Sequence, residues 1–169
     1  MIKSTLKYSI LCGLFLIGLF FISINFGSNP LLDSRHFWFD LGVYFLFIFF
    51  AGKEYKDFRN GGYLHFWQGI SIGFIVFIPA IILFGGVLLV MLNIDDAILE
   101  AYKEGAEALL KSNEDFYKEE LGEELLNERY TDIASMTPTQ LIQMTFRNKL
   151  FSAFLITPVV AIILRKKPK

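Results

Sequence analysis

Four long apolar stretches, separated by polar punctuation, dominate the chain. Leu6 to Phe26 is 21 residues in which Lys7, at the edge, is the only charge, and at about 1.5 Å per residue a helix of that length crosses a hydrocarbon core of about 30 Å. The pattern predicts a first transmembrane helix over about 6–26. A second, over about 35–52, combines Phe37, Trp38 and Phe39 with the charge-free run Leu41 to Gly52, leaving Asp40 at headgroup level. Gly69 to Leu92 is 24 uncharged residues preceded by an interfacial belt of Tyr63, His65, Phe66 and Trp67, which predicts a third span over about 66–93. The last span, about 146–164, has Arg147 and Lys149 at its entrance.

The punctuation sets the boundaries. Lys3 and Lys7 imitate the basic start of a signal peptide, but the apolar run is longer than an h-region of about 7–15 residues and no A-x-A-like site follows, so the first span reads as an uncleaved anchor. Asn29-Pro30 and Asn60-Gly61-Gly62 are turn signals. Pro79 removes one backbone donor inside the third span, so a local kink is expected between Ile75 and Pro79. Thr137-Pro138-Thr139-Gln140 has the form of a capping box that starts the last helix ahead of the membrane.

Between the third and fourth spans lies a segment of different character. Residues 95–133 hold 13 acids against Lys103, Lys111, Lys118 and Arg129, a local charge of −9, while the remainder holds 12 bases and 4 acids, or +8. Apolar residues recur there at helical spacing, at Ile94, Ile98, Ala101, Tyr102 and Leu109, then at Phe116, Tyr117, Leu121, Leu125 and Leu126. Two short amphipathic helices outside the membrane are expected, broken at Ser112-Asn113. Glu107 with Lys111 and Glu114 with Lys118 stand in the favourable order for i,i+4 pairs, and Ser112 with Asp115 forms a second capping-box pattern.

Composition agrees with a membrane protein and narrows the chemistry. Of 169 residues, 54% are hydrophobic and 17% aromatic, and mean hydropathy is +0.47, above what a small soluble core can bury. The net charge of −1 carries no basic excess that would bind nucleic acid. Four spans place both termini on one side. Residues 1–7, 53–62 and 165–169 contain 9 Lys/Arg in 22 positions, against 7 in the 65 positions of 27–36 and 95–149, so the positive-inside rule makes the termini cytoplasmic. Cys12 is the only cysteine, which excludes an intrachain disulfide and a thiolate zinc site.

The interiors of the predicted spans lack Asp, Glu, Lys, Arg and His, the usual mark of proton relays and ion-coupled transport. Ser23, Asn25, Ser71 and Thr157 are assigned to helix-to-helix or backbone hydrogen bonds. His36 and His65 fall on opposite faces and cannot share a metal, and no G-x-S-x-G, Walker A, H-E-x-x-H or G-x-G-x-x-G motif occurs. No catalytic residue, cofactor or metal ligand is assigned, and the chain does not read as an enzyme. Gly69-x-x-x-Gly73 offers a small-residue groove, assigned to packing inside the bundle ahead of dimerisation. The basic end, Arg165 to Lys169, is assigned to anchoring the topology.

The loop Lys53 to Gly62, a charged Tyr/Phe/Arg stretch ending in a glycine turn, is followed by aromatics and by Gln68-Gly69-x-x-x-Gly73. Together with a basic start, four spans, a polar insertion before the last span and a basic end, it resembles the small bacterial membrane proteins of the domain of unknown function 4199 family. The resemblance covers nearly the whole chain. It implies an integral inner-membrane protein and carries over no activity. The combined reading is an all-α, integral membrane four-helix bundle with an acidic helical insertion. Its expected role is that of a scaffold or accessory subunit acting on the lipid bilayer, on a membrane-protein partner or on a second copy of itself. The alternative is a transporter or channel subunit for uncharged or lipid-like solutes. Candidate interaction residues are Tyr55, Phe58, Arg59, Gly69, Gly73, Glu119, Glu120, Glu123 and Glu124.

Overall fold

A computed structural model of the chain describes residues 2–166, with only the backbone described for Lys3 and Leu121. The basic tail beyond Lys166 lies outside the described residues. Among them the fold is all-α, with seven helices: α1 (Ile2–Asn25), α2 (Arg35–Arg59), α3 (Phe66–Ile94), α4 (Ala97–Ser112), α5 (Glu114–Leu121), α6 (Glu123–Ala134) and α7 (Pro138–Leu164). Helices α1, α2, α3 and α7 form a bundle in which α3 packs on the other three and α2 closes the ring between α1 and α7. Three segments are long and apolar enough to cross a membrane: Ser4–Asn25, Phe66–Ile94 and Pro138–Leu164. The fourth bundle member, α2, is not one of them, because its 25 residues include Arg35, Asp40, Lys53, Glu54, Lys56, Asp57 and Arg59.

The turns follow local chemistry. Gly61 and Gly62 adopt φ of 60° and 80°, the left-handed region that a side chain resists, and this lets the Gly62 N–H reach back to the Lys56 carbonyl at 2.8 Å and end α2. Asn29 accepts from the Leu31 N–H and starts the turn into α2. The Thr137–Gln140 capping box is present, with Pro138 at the first turn of α7. The pattern at Ser112–Asp115 forms no such box, because Ser112 is the last residue of α4 and Asn113 holds the N-cap of α5; the Ser112 hydroxyl donates back to the Leu109 carbonyl. Helix α3 runs unbroken through Pro79.

The acidic segment differs from expectation in two respects. It forms three helices, because Gly122, at φ 83°, separates α5 from α6. The buried face of α4 also runs through Leu99, Tyr102 and Leu110, while Leu109 is half-exposed and Ile94 is 80% exposed. The inward stripe is set by where α4 meets the bundle, since Gly105 abuts Leu32 of the α1–α2 loop and the Tyr102 hydroxyl approaches Met144 Sδ of α7. Lys103 Nζ donates to the Ala134 carbonyl, tying α4 to the end of α6. Glu114 and Lys118 form their ion pair at 2.9 Å; none joins Glu107 to Lys111 among the described residues.

The two ends of the bundle are distinct. At one end Tyr8 meets Glu54, and Leu64 and Lys166 exchange backbone hydrogen bonds of 3.0 and 2.9 Å, joining the α2–α3 loop to the end of α7. At the other lie the α1–α2 loop and α4 to α6. Between them the core is closed by Tyr44, Ile48, Ile72, Val76, Phe77, Ala80 and Ile81, none more than 1% exposed.

Candidate functional site

The site is an ion pair inside the bundle. Asp40 stands on the stripe of α2 that continues through Tyr44 and Ile48, and Lys149 on the stripe of α7 formed by Leu141, Thr145 and Ser152; all five apolar or hydroxyl members are buried. Helical periodicity therefore turns both charges inward. Lys149 Nζ donates to both Asp40 oxygens at 2.9 Å across a sequence separation of 109 residues. The side chains are 12% and 14% exposed, and Nζ lies 4.3 Å from the centroid of the Phe84 ring of α3. Three helices thus converge on one charge. The sequence reading places Asp40 at headgroup level and Lys149 at the entrance of the last span without pairing them; the structure joins the two. A bundle that desolvates one must supply the other, because an unpaired charge there costs several kcal/mol.

A cavity of about 210 Å³ opens beside the pair, between α1, the α1–α2 loop, α2 and α7. Leu16, Leu19 and Phe20 form its α1 wall, Phe84 contributes from α3 and Phe37 and Phe151 from α2 and α7. Its polar lining is Asp33, Ser34, His36, Asp40, Thr145, Asn148, Lys149 and Ser152. The Thr145 and Ser152 hydroxyl protons go to the carbonyls of Leu141 and Asn148, leaving their oxygens as acceptors. Asp33 holds Arg35 at 2.7 Å, and hydrogen bonds from Arg35 keep its carboxyl below the ordinary carboxylate range. One turn beyond Asp40, the Tyr44 hydroxyl is fully buried and has no hydrogen-bond partner among the described residues. Cys12 is equally buried.

The residues singled out from sequence fall in three separate places. Gly69 and Gly73 face α7: a Cβ on Gly69 would come within 2.8 Å of Ala161 Cβ and 2.9 Å of its Cα, and one on Gly73 would overlap Thr157. At the same end of the bundle, Tyr55 packs on the core while Phe58 and Arg59 are exposed. Glu119, Glu120, Glu123 and Glu124 are exposed on either side of Gly122. None lines the cavity. His36 does line it, and His65 caps α3 at the opposite end, its N–H donating to Gln68 Oε1. Asn25, Ser71 and Thr157 bond the carbonyls four residues back, as expected. Among the described residues no group of three His, Cys, Asp or Glu side chains could hold a metal ion.

The pair that makes the site carried a signal in the sequence. Asp40 stands between Phe39 and Leu41, and Lys149 precedes Leu150 and Phe151, so each is a lone charge in an apolar helical stripe. Their partnership has no sequence mark.

Residues 7–166 match the model of a family described as protein of unknown function (DUF4199), and the chain belongs to that family. No curated protein and no solved structure shows detectable similarity to it.

Proposed function

We propose that this family member is a four-span bacterial inner-membrane protein that acts by interaction, as a scaffold or accessory subunit, with both termini cytoplasmic and α4 to α6 on the outer side. The fourth span is α2. Its charges fall at its ends except Asp40, which Lys149 neutralises, so the bilayer meets an apolar exterior. The observation that carries an interaction role is the closed core. Beyond the cavity, Cys12, Tyr44, Ile48, Phe77 and Ile81 are at most 1% exposed, which leaves no water path for a transported solute. The exposed acids of α5 and α6 and the loop from Tyr55 to Gly62 are the surfaces a partner would meet. The outer cavity is the feature that favours the alternative, a transporter or channel subunit for uncharged or lipid-like solutes.

Cross-linking in native membranes followed by purification tests the role. A partner, or a second copy, should be recovered with the wild type and reduced when Glu119, Glu120, Glu123 and Glu124 are all changed to Gln. An exclusively monomeric protein without a cross-linked partner refutes it. Orientation is tested separately by thiol labelling, which buried Cys12 leaves clean: Lys103→Cys should label from outside intact cells and Lys56→Cys only after permeabilisation. The reverse pattern overturns the proposed orientation.

A further inference from the structure

We propose that the cavity beside Asp40 and Lys149 binds an organic ammonium ion, a primary amine on a short apolar stem, whose N–H groups donate to the acceptor positions of the Asp40 carboxylate that Lys149 leaves open. The inference concerns the cavity alone and stands apart from the scaffold reading.

Hydrogen-bond supply points to a donor-rich guest. A carboxylate has about four acceptor positions, and among the described residues Asp40 receives only the Lys149 ammonium. The hydroxyls of Thr145 and Ser152 have given their protons to their own helix and face the cavity as acceptors. Charge points the same way. Asp33 is engaged by Arg35, and Lys149 is already engaged by both Asp40 oxygens and the face of Phe84, so neither pair offers a free cation to an anionic guest. An anion would have to displace Asp40 and leave that carboxylate without its counter-charge. A cation adds to what is there.

The walls fit an ammonium ion better than a bare metal ion. Phe20, Phe37 and Phe151 stand around the polar patch, and aromatic faces attract an organic cation that retains little water. Leu16 and Leu19 offer the apolar surface for its stem. A volume of about 210 Å³ lies below the ~300–1,000 Å³ of drug-sized sites, which restricts the guest to a small molecule or a headgroup. Exposed Ser34, Asn148 and Phe151 form a mouth that is polar on one side and apolar on the other. Such an entrance admits a free amine from water or the amine headgroup of a lipid.

Thermal unfolding of the full chain, purified in a detergent free of aminophospholipid, is the test. Saturating ethylammonium chloride should raise the wild-type Tm by about 5 °C relative to sodium chloride at equal ionic strength, and sodium acetate should not. The Asp40→Asn/Lys149→Met double variant, which removes both charges together, should lose the shift. Leu19→Trp, which narrows the cavity and leaves the ion pair intact, should lose it too, and decides the question if the double variant fails to fold. Absence of a wild-type shift, an equal shift in Leu19→Trp, or equal stabilisation by acetate overturns the proposal. Repeating the titration in nanodiscs separates the sources. A shift seen in phosphatidylglycerol and abolished in phosphatidylethanolamine assigns the site to the lipid headgroup, and a shift seen in both assigns it to a free amine.

Discussion

The Ser9 hydroxyl of α1 donates to the Ile75 carbonyl of α3, the acceptor that Pro79 leaves without its intrahelical N–H. Buried Ser9 thus repairs the ladder of a neighbouring helix, and the proline of α3 and the serine of α1 act as a unit. Ser9→Ala should lower stability by about 1 kcal/mol by orphaning a buried carbonyl. In the Pro79→Ala background, where an N–H is restored, the same change should cost much less. A double-mutant cycle of unfolding in mild detergent measures the coupling, and strictly additive costs would show that the two residues are independent.

The α3–α7 contact predicts a graded glycine series. Gly69→Ala places a Cβ 2.9 Å from the Ala161 Cα, and backbone cannot swing aside as a side-chain tip can, so a loss of about 1–3 kcal/mol is expected. Gly73→Ala meets the Thr157 side chain instead and should be relieved by Thr157→Ala. Gly86 has nothing within 4 Å of its Cβ position, so Gly86→Ala should be neutral or slightly stabilising through helix propensity. Detergent thermal stability of the three variants ranks them.

Breaking the interior ion pair should be worse than deleting it. Asp40→Asn leaves Lys149 charged and desolvated, and Lys149→Met leaves Asp40 so; each should cost about 3–5 kcal/mol. The double variant should recover most of that loss, because two neutral side chains carry no desolvation penalty of comparable size. Unfolding midpoints of the four proteins in the cycle decide it, and single variants as stable as the wild type would mean that water reaches the pair freely.

Acid should loosen the opposite end. Glu54 accepts from Lys7 Nζ and from the Tyr8 hydroxyl, each at 2.6 Å, and these bonds, that from Lys7 foremost, hold its carboxyl below the usual carboxylate range. A depressed folded-state value means that the contribution is fully present above the unfolded pKa of about 4.3 and is lost as pH falls through the folded value. Solvent reaches the pair, so the contribution is under about 1 kcal/mol. The difference in Tm between wild type and Glu54→Gln, measured from pH 7 to pH 3, should shrink toward zero at the acid end.

Much of the fold was legible because it rests on local chemistry. The apolar runs, the Asn60-Gly61-Gly62 turn and the Thr137–Gln140 box depend on residues within a few positions of one another, and each lies where the pattern places it. The Ser112–Asp115 pattern failed for an equally local reason: α4 runs on through Ser112, so Asn113 and not the serine stands at the N-cap of α5. The buried face of α4 was misread by one residue near its end, Leu110 in place of Leu109, because an amphipathic stripe wide enough to include both is resolved only by the surface it lands on.

The functional candidates divide in the same way. Gly69 and Gly73 were visible as a spacing, and the close approach of α7 was compatible with it. Asp40 and Lys149 were visible only as two isolated charges at the margins of apolar segments. The sequence alone determined that this chain is helical and apolar enough for a membrane, and that its charge is segregated, since these follow from composition and from periods of a few residues. Tertiary structure decided which charges meet, which carbonyl Ser9 serves and where a cavity remains. Those outcomes depend on helices 66 to 109 residues apart in sequence coming into register. Desolvation then makes the register matter, because a charge or carbonyl brought inside the bundle is stable only opposite its partner.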